Sequence, residues 1–321
     1  MKILITGASG FAGTHLTEYY TRQYRGVKLY CTTYGGYGDI DRYVPEKHIF
    51  QINLLDQEKV ADVVKRTKPD RIVHLAALAS VGESFLRPQE VLENNILITL
   101  NILESARTYA RRSRVLLIGS ADEYGMVNPS QVPINENVPL RPTSPYAVSK
   151  VTVDYLGQQY FLAYKLPVIR LRPFNHIGEY QNPGFVVADF AKQIVEAEHD
   201  PKKVMKVGNL SAIRDYTDVK DMVRAYDLAL MKCVPGEIYN VGSGRGVRTQ
   251  DLLNIMLAKA RREIRVEVDP KRYRPVDVEA VIADSSKFRR QTGWKPSIPL
   301  EVTLDRVLNY WRKKLMQETK V

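Results

Sequence analysis

Three side chains, Ser120, Tyr146 and Lys150, have the types and the spacing needed to move a proton onto or off an alcohol oxygen. Tyr146 and Lys150 are four residues apart, so on a helix they would share one face. A neighbouring ammonium group is expected to hold the pKa of the phenol below its usual value of about 10. Such a phenol can give a proton to a ketone oxygen as a hydride arrives, or take one in the reverse reaction. Ser120, which ends an apolar strand-like run, is expected to hydrogen-bond the same oxygen.

The Tyr-x-x-x-Lys spacing is weak evidence by itself, because the chain has 19 tyrosines. The simpler alternative places Tyr146 and Lys150 on a solvated helix face. Only Tyr146 also lies at a predicted helix start, in the sequence TSPYAVSK, and follows a strand-end serine by 26 residues. This combination favours the proton-transfer interpretation. The same spacing recurs at Tyr24, Tyr43, Tyr216 and Tyr310.

A glycine-rich turn, GASGFAG, lies near the amino terminus, between a short apolar strand and a predicted helix that begins near Phe11. A pyrophosphate needs a tight turn, a backbone that can approach closely and free N–H groups at a helix start, and this arrangement supplies all three. Gly7, Gly10 and Gly13 follow the spacing GxxGxxG rather than GxGxxG, in the required strand–turn–helix order. The alternative is a loop that only turns the chain. We expect a nicotinamide dinucleotide to bind here.

The residues after the second predicted strand bear on the choice between NAD and NADP. A carboxylate there would bind the adenosine 2′-hydroxyl and disfavour a 2′-phosphate. The strand ends at Thr33, and the next carboxylate along the chain is Asp39. We therefore expect NADP, with NAD possible, and Arg42 is a candidate partner for the 2′-phosphate.

Apolar strand-like runs alternate with amphipathic helical patterns through the first half of the chain, which predicts a parallel sheet with helices on both faces. Past Arg172 the alternation loosens, and glycine, proline and asparagine cluster from 175 to 184 as in a functional loop. The predicted fold is α/β, a Rossmann-type doubly wound parallel sheet with a smaller, interleaved carboxy-terminal substrate domain. We expect residues 1–171 and about 213–245 to form the dinucleotide-binding domain, and residues 172–212 and about 246–321 to form the substrate domain.

The composition is that of an ordinary globular protein, with 44% hydrophobic and 26% charged residues. No stretch approaches the roughly 20 apolar residues of a membrane span, and no secretory signal follows Met1. Two distant cysteines, Cys31 and Cys233, fit a reduced, cytoplasmic setting. The net charge of +11 raises the alternative of an anionic partner such as a nucleic acid, but the basic residues are not interleaved with aromatic ones as in a stacking platform. We expect no nucleic acid, no membrane and, because the histidines lack metal-ligand spacing, no metal.

Several segments taken together resemble the extended short-chain dehydrogenase/reductase family, whose members act mostly on nucleotide sugars. They are TGASGFAG, His74 to Ala77, Asn95 to Thr99, Ser120 and YAVSK, and the resemblance covers essentially the whole chain. It implies that Ser120, Tyr146 and Lys150 are catalytic, and it places Asn53 where many members have an aspartate beside the adenine. The cofactor contacts it implies are Gly7, Gly10, Phe11, Gly13, Thr33, Asn53, Leu54, Leu75, Ala76, Ala77, Asn95, Tyr146, Lys150 and Pro173.

The second half of the chain has segments that resemble the substrate-binding parts of members that use GDP-sugars. These segments are RPFNHIG, VGNLSAIRDYTDV and YRPVDV. A guanidinium can bind a diphosphate through two parallel hydrogen bonds, so Arg214 is the candidate anion clamp, with an ion pair to Asp215 or Asp218 as the alternative. His176 fits equally well as a substrate contact or as an ordinary loop residue. The substrate contacts that the resemblance implies are Ser120, Asn175, Val186, Arg214, Arg274 and Asp277.

Within the family, these segments are most similar to GDP-6-deoxy-4-keto-D-mannose reductases, with GDP-mannose 4,6-dehydratases as close relatives. Dehydratases have a glutamate two residues after the catalytic serine or threonine, where this chain has the shorter Asp122, followed by Glu123. We therefore expect NAD(P)H-dependent reduction of the C4 ketone of GDP-4-keto-6-deoxy-D-mannose to GDP-D-rhamnose, with Tyr146 as proton donor and Asp122 as a further candidate catalytic residue. A 4,6-dehydratase, a UDP-sugar 4-epimerase, and a non-enzymatic NAD(P)-binding sensor or RNA-binding module are the alternatives. The resemblance also implies a homodimer formed through the helices at 91–109 and 146–164.

Overall fold

The computed structural model describes residues 1–273, 276 and 278–318. The first half of the chain alternates strands and helices: β1 (Lys2–Thr6), α1 (Phe11–Gln23), β2 (Lys28–Thr33), β3 (Ile49–Gln51), α2 (Gln57–Thr67), β4 (Arg71–His74), α3 (Val81–Leu86), α4 (Pro88–Tyr109), β5 (Arg114–Ile118), α5 (Pro145–Tyr164) and β6 (Val168–Pro173). The rest contains β7 (Asn175–Ile177), α6 (Val186–His199), β8 (Met205–Val207), β9 (Ile213–Asp218), α7 (Val219–Lys232), β10 (Ile238–Val241), β11 (Gly246–Arg248), α8 (Thr249–Leu257), β12 (Val266–Val268), β13 (Ala280–Val281), α9 (Ser286–Thr292) and α10 (Leu300–Glu318).

A seven-stranded sheet in the order β10-β6-β5-β4-β1-β2-β3 is the centre of the fold. Each neighbouring pair of strands in it is parallel. The chain runs outward from β1 through β2 and β3, and then returns to β4 and runs outward in the opposite direction. The strand order therefore reverses between β1 and β4, where doubly wound sheets bind ligands outside the carboxyl ends of the strands. The predicted doubly wound α/β fold is confirmed.

Helices cover both faces of this sheet. Ile3 and Ile5 pack into one hydrophobic core with residues of α1 and α7, whereas Leu4 packs into another with residues of α2, α4 and α5. Successive residues of a strand point to opposite faces, so these two cores lie on opposite sides of the sheet. Helix α4 begins at Pro88, three residues before the predicted start at Val91, because proline is well tolerated in the first turn of a helix.

A smaller sheet lies in the second half of the chain. In it, strand β9 pairs antiparallel with β11 and parallel with β7 and β13. Strands β8 and β12 pair with each other in a separate two-stranded sheet. Helices α6, α8 and α10 share a third core beside these strands. The expected domain boundary at 213 assigns β9 to the dinucleotide-binding part, whereas β9 hydrogen-bonds within the smaller sheet. Helix α7 packs on the large sheet, and β10 pairs with β6 within it.

Among the described residues, no helix is both long and apolar enough to cross a membrane. The same residues contain no group of three or more His, Cys, Asp or Glu side chains arranged to hold a metal ion.

Candidate active site

The first turn of α5 positions Tyr146 and Lys150. Ser144 caps the helix by accepting a hydrogen bond from a first-turn N–H (3.1 Å), and Pro145 takes the first helical position, where a missing N–H costs little. Tyr146 and Lys150 are buried, with the Lys150 ammonium 5.9 Å from the centre of the Tyr146 ring. Lys150 Nζ also donates a hydrogen bond to the carbonyl oxygen of Ile118, at the end of β5 (2.8 Å). The two side chains therefore face the interior rather than solvent.

The pKa of Tyr146 lies above its ordinary value. Burial is the largest cause, the nearby Asp122 carboxylate adds to it, and hydrogen bonding with Ser120 opposes it. This direction is opposite to the one expected from Lys150, because removing the phenol from water disfavours the phenolate. Burial also lowers the pKa of Lys150 to about 8, against the opposing charge of Glu123. At neutral pH Tyr146 thus holds its proton and can donate it.

Ser120 lies at the carboxyl end of β5, where the chain enters the short 3₁₀ helix Ala121–Tyr124. Its hydroxyl donates a hydrogen bond to Asp122 Oδ2 (2.9 Å) and accepts one from the Asp122 N–H (3.1 Å). Ser120 and Tyr146 are buried, whereas Asp122 is half-buried. The structure thus brings the predicted serine, tyrosine, lysine and aspartate together at one end of the large sheet.

The neighbouring carboxylate, Glu123, is committed to the interior. Its Oε1 accepts a hydrogen bond from the Ser120 N–H (2.7 Å), and its Oε2 accepts one from Arg172 Nε (2.7 Å). A Cβ on Gly119 would lie 2.2 Å from Glu123 Oε1, so glycine is needed where this side chain passes. Burial raises the pKa of Glu123, and the Arg172 guanidinium opposes this effect. Glu123 therefore fixes the backbone of residues 120–124, here called the serine turn, and its carboxylate lies in the protein interior.

Arg172 extends this contact into a buried ion network that the sequence interpretation missed. Its guanidinium also donates to Asp154, on α5, and to the Tyr124 hydroxyl (3.1 Å). Asp154 accepts a further hydrogen bond from Arg170 (2.5 Å). The network joins β6, the serine turn and the helix that holds Tyr146. The sequence signal for this network was the pair of arginines in an otherwise apolar strand, VIRLRP, because buried charges need partners.

The glycine-rich turn has the geometry that a dinucleotide pyrophosphate needs. Gly7 has φ +65°, and a Cβ there would lie 2.8 Å from the Ala76 backbone. A Cβ on Gly13 would lie 2.3 Å from the Gly7 carbonyl oxygen. Helix α1 begins at Phe11 with no side-chain cap on its first turn, because its N-cap residue is Gly10. The close backbone approach and the available N–H groups fit a bound nicotinamide dinucleotide.

The other predicted cofactor residues lie mostly at the carboxyl ends of the parallel strands. Thr33 ends β2 and is buried, and its hydroxyl has no hydrogen-bond partner among the described residues. Asn53 is exposed and accepts a hydrogen bond from the Leu55 N–H (2.9 Å), which turns its side chain to its own backbone. Leu54 is buried close by, Leu75 to Ala77 follow β4, and Pro173 ends β6.

Asn95 and His74 are buried polar residues with internal partners. Asn95 Nδ2 donates to the Leu78 carbonyl (3.1 Å) and to Ser149 Oγ (2.9 Å), and its Oδ1 accepts from the Leu78 N–H (2.8 Å). Asn95 therefore ties the loop after β4 to α5, one residue from Lys150. The ring of His74 bridges the hydroxyls of Thr6 and Thr99, and burial lowers its pKa to about 3, so it stays neutral.

The described substrate candidates other than Ser120 lie on or beside the smaller sheet. Asn175 is exposed at the start of β7, Val186 is half-buried at the start of α6, and Arg214 is half-buried on β9. Arg214 Nη1 donates to the Ile213 carbonyl oxygen (2.9 Å). Arg274 and Asp277, the remaining candidates, lie outside the described residues.

Asp215 and Asp218, the alternative partners of Arg214, accept hydrogen bonds from other groups. Asp215 accepts hydrogen bonds from the N–H groups of Ser243 (2.9 Å), Gly244 (2.8 Å) and Ala283 (3.1 Å). Asp218 accepts one from the Lys220 N–H (2.7 Å). Asp215 thus organises the backbone of the loop after β10 and of Ala283, and Asp218 caps the start of α7.

An aromatic contact links the glycine-rich turn to the smaller sheet. The Phe11 ring stacks on His176, with ring centres 5.6 Å apart and planes 8° from parallel. Burial lowers the pKa of His176 to about 4, so the imidazole is neutral at this contact. The structure therefore favours a packing role for His176, joining the cofactor turn to β7.

The chain is similar to several known proteins over nearly its whole length. A family model described as GDP-mannose 4,6 dehydratase matches residues 4–307. The GDP-6-deoxy-D-mannose reductase of Pseudomonas aeruginosa is 31% identical over 318 residues, covering 99% of each chain. The solved structure of RMD from Pseudomonas aeruginosa, complexed with NADPH, is 30% identical with a TM-score of 0.86, covering 98% of this chain and 99% of that one. The UDP-glucose 4-epimerase of Thermus thermophilus, complexed with NAD, is 29% identical with a TM-score of 0.87, covering 97% and 99%.

These matches extend over nearly the whole chain, and the solved structures share its fold. The chain belongs to the GDP-mannose 4,6-dehydratase family, a group of nucleotide-sugar enzymes among the extended short-chain dehydrogenases/reductases.

Proposed function

We propose that the protein is an NADPH-dependent reductase that converts the C4 ketone of GDP-4-keto-6-deoxy-D-mannose to the alcohol of GDP-D-rhamnose. The observation that carries this proposal is the buried constellation of Ser120, Tyr146 and Lys150, which can pass a proton to a ketone oxygen, in a chain that is 31% identical to a GDP-6-deoxy-D-mannose reductase over 99% of both lengths. In a reductase the Tyr146 phenol acts as an acid in the first chemical step, whereas in a 4,6-dehydratase or a 4-epimerase it first acts as a base.

The chemistry assigns one task to each side chain. When bound, the dinucleotide supplies the hydride that reduces C4. Tyr146 gives its proton to the ketone oxygen, and Ser120 holds that oxygen in place. The Lys150 ammonium stabilises the phenolate that forms on Tyr146, since a positive charge near a developing negative charge lowers the barrier.

NADP is the preferred cofactor in this proposal, with NAD possible. No carboxylate lies at the end of β2, and the unpartnered Thr33 hydroxyl is available to the ribose. Asp39, the first carboxylate after β2, pairs with Arg42 (3.0 Å). Arg42 is 69% exposed in this surface ion pair and remains the candidate partner for the 2′-phosphate. The relative solved with NADPH supports the same choice.

The GDP-sugar is the proposed partner at the smaller sheet, with Arg214 on its diphosphate and Asn175, Val186, Arg274 and Asp277 as further contacts. This placement agrees with the proposed division into a dinucleotide part and a substrate part, although β9 belongs structurally to the latter. The relative that acts on a GDP-sugar, at 31% identity, supports the choice of nucleotide.

The proposed assembly is a homodimer through α4 and α5. Tyr155 and Leu162 on α5 are each 58% exposed, and Leu97 on α4 is 38% exposed. Large apolar side chains that share one surface are the usual mark of a protein interface.

The proposed location is the cytoplasm, where the buried free thiols of Cys31 and Cys233 would stay reduced.

A 4,6-dehydratase is the second candidate, because the Asp122 carboxylate lies beside Ser120 and could serve as an additional base. One pair of incubations separates the two functions. We expect GDP-4-keto-6-deoxy-D-mannose to be consumed with stoichiometric NADPH oxidation, and GDP-mannose to be stable without added reductant. Consumption of GDP-mannose alone would favour the dehydratase, and interconversion of UDP-sugars without net cofactor turnover would favour the epimerase.

A further inference from the structure

Ser149 lies between Tyr146 and Lys150 in the first turns of α5 and takes no part in the proton transfer described above. Its side chain is fully buried. A serine is not a strong helix former, because its hydroxyl competes for backbone hydrogen bonds, and a buried hydroxyl needs partners. The contacts of the Ser149 hydroxyl therefore indicate what this residue does for the site.

The Ser149 hydroxyl both donates and accepts a hydrogen bond. Its Oγ donates to the carbonyl oxygen of Tyr146 (2.7 Å) and accepts from Nδ2 of Asn95 (2.9 Å). The first bond is local, because the two residues lie three positions apart on one helix. The second bond joins α5 to α4. Ser149 thus connects the backbone of the predicted proton donor to a side chain of another helix.

The Asn95 amide continues this connection to the loop after β4. Its Nδ2 also donates to the Leu78 carbonyl oxygen (3.1 Å), and its Oδ1 accepts from the Leu78 N–H (2.8 Å) and from Asn94 Nδ2 (3.2 Å). Both Nδ2 protons have an acceptor and Oδ1 has two donors, so the orientation of the amide is fixed. A chain of printed contacts thus runs from Tyr146 through Ser149 and Asn95 to Leu78.

The loop that contains Leu78 lies against the glycine-rich turn. The Ala76 N–H donates to Thr6 Oγ1, at the end of β1 (3.3 Å). A Cβ on Gly7 would lie 2.8 Å from the Ala76 backbone, so the loop and the turn are in close contact. Asn95 therefore links the cofactor side of the site to the helix that holds the proton donor.

We propose that Ser149 is a positioning residue for the reduction: through Asn95 it fixes the first turn of α5, and with it Tyr146, against the loop on the cofactor side. This inference rests on the proposed reductase function. Reduction requires the hydride donor and the phenol to face the two ends of one C=O bond at the same time, and small displacements of reacting groups are costly in rate. Ser149 is fully buried, so it acts through its two partners rather than on the sugar.

Ser149→Ala tests this proposal, because alanine suits a helix and leaves one Asn95 amide proton without its acceptor. The measurement is the rate constant of NADPH oxidation in a stopped-flow single turnover, with enzyme in excess over GDP-4-keto-6-deoxy-D-mannose and NADPH saturating. We expect this rate constant to fall by about tenfold or more, with little change in the Kd for NADPH or the KM for the sugar. A purely structural contribution would lower the folded fraction of the protein and leave the rate constant unchanged.

Thr67→Val is the matched control for the loss of a buried hydroxyl. The Thr67 hydroxyl is also buried and donates to a carbonyl oxygen of its own helix, that of Val63 on α2 (2.7 Å). No candidate site residue lies on α2, so this variant should keep the wild-type rate constant. Equal rate constants in Ser149→Ala and Thr67→Val would overturn the proposal.

A second comparison tests whether Ser149 acts through Asn95. We expect Asn95→Ala to be slower than the wild type, and Ser149→Ala to cause no further loss when it is added to Asn95→Ala. Losses that multiply in the double variant would overturn the link between the two residues, and Ser149→Ala alone decides the proposal if Asn95→Ala does not fold. A wild type that oxidises no NADPH with this sugar would instead overturn the proposed function, and the role of Ser149 with it.

Discussion

Tyr146 and Lys150 are both buried, and burial shifts their pKa values in opposite directions. It raises the pKa of the phenol and lowers the pKa of the ammonium to about 8, because both shifts favour the neutral form. Their types and spacing could be read from the sequence. The direction of the pKa shift of Tyr146 could not, since it depends on removal from water and on Asp122, whose position is set by the turn after β5.

The pH dependence of the reaction should report on Lys150. Lys150 carries a positive charge below about pH 8 and loses it above that pH. The stabilisation of the Tyr146 phenolate is therefore lost as the pH rises. We expect kcat for ketone reduction to be constant near neutral pH and to fall about tenfold per pH unit above an apparent pKa near 8. Lys150→Met should lose about 100-fold in kcat and should not show this alkaline limb.

The control for this pH profile is Lys59→Met, at the exposed start of α2, which should keep the wild-type dependence of kcat on pH. An unchanged alkaline limb in Lys150→Met would assign the titration to another group and would refute this role of the ammonium.

Several candidates at the residue scale illustrate what a sequence leaves open. Asn95 was predicted beside the cofactor, and the structure places its amide between Leu78 and Ser149. His176 stacks on Phe11, which no spacing in the sequence suggests because the two residues are 165 positions apart. Contacts of this kind depend on long-range packing and carry no local signal.

At the scale of elements, the buried network of Glu123, Arg172 and Asp154 connects three segments that hold the site. Glu123 fixes the serine turn, Arg172 lies on β6 and Asp154 lies on α5. Buried ion pairs of this kind hold the catalytic side chains in position, and a displacement of about 1 Å can lower the rate about 100-fold. The network is therefore expected to support both stability and turnover.

Glu123→Gln tests this expectation. Glu123→Gln keeps the shape of the side chain but removes one charged partner of the buried Arg172, which still pairs with Asp154, so the expected cost is about 1–3 kcal/mol. We expect the free energy of unfolding in urea to fall by about that amount and kcat to fall more than tenfold, with little change in KM. The change in kcat separates positioning of the site from a purely structural role.

Glu237→Gln is the matched control for this variant. Glu237 pairs with Lys287 (2.7 Å) but is 51% exposed, so its loss should cost about 1 kcal/mol or less and leave kcat unchanged. Equal losses of stability in the two variants would contradict the importance assigned to the buried network.

The elements themselves were predictable to different degrees. The start of α5 follows from Ser144 and Pro145, which are local capping signals, and the large sheet follows from the alternation of apolar runs with helical patterns. Strand β9 was not predicted as part of a second sheet. Its sequence, IRDYTD, is polar and short, and its order comes from pairing with β7, β11 and β13.

At the scale of the whole molecule, α4 and α5 present an apolar surface that one chain leaves uncovered. Tyr155→Glu places a charge at its centre, and we expect the protein to sediment as a monomer where the wild type sediments as a dimer. Met231→Glu, at an exposed apolar position on α7, should remain dimeric. A monomeric wild type, or a dimeric Tyr155→Glu, would contradict the proposed interface.

The topology of the large sheet brings the separate parts of the site together. The reversal of strand order between β1 and β4 brings the glycine-rich turn, the serine turn and the end of β6 to one edge of the large sheet. The smaller sheet begins directly after β6, so the candidate substrate residues follow the cofactor edge in the chain. The sequence alone predicted this general plan because the βαβ alternation restricts the topology strongly.

The fate of a labelled hydride tests the proposed reduction most directly. NADPH with deuterium at its transferable position is incubated with the protein and GDP-4-keto-6-deoxy-D-mannose, and the product is examined by NMR and mass spectrometry. We predict one deuterium per sugar, bonded to C4, with equimolar NADP formed, and none when Tyr146→Phe replaces the wild type. Product without deuterium at C4, or unchanged labelling in Tyr146→Phe, would contradict reduction through the Tyr146 proton.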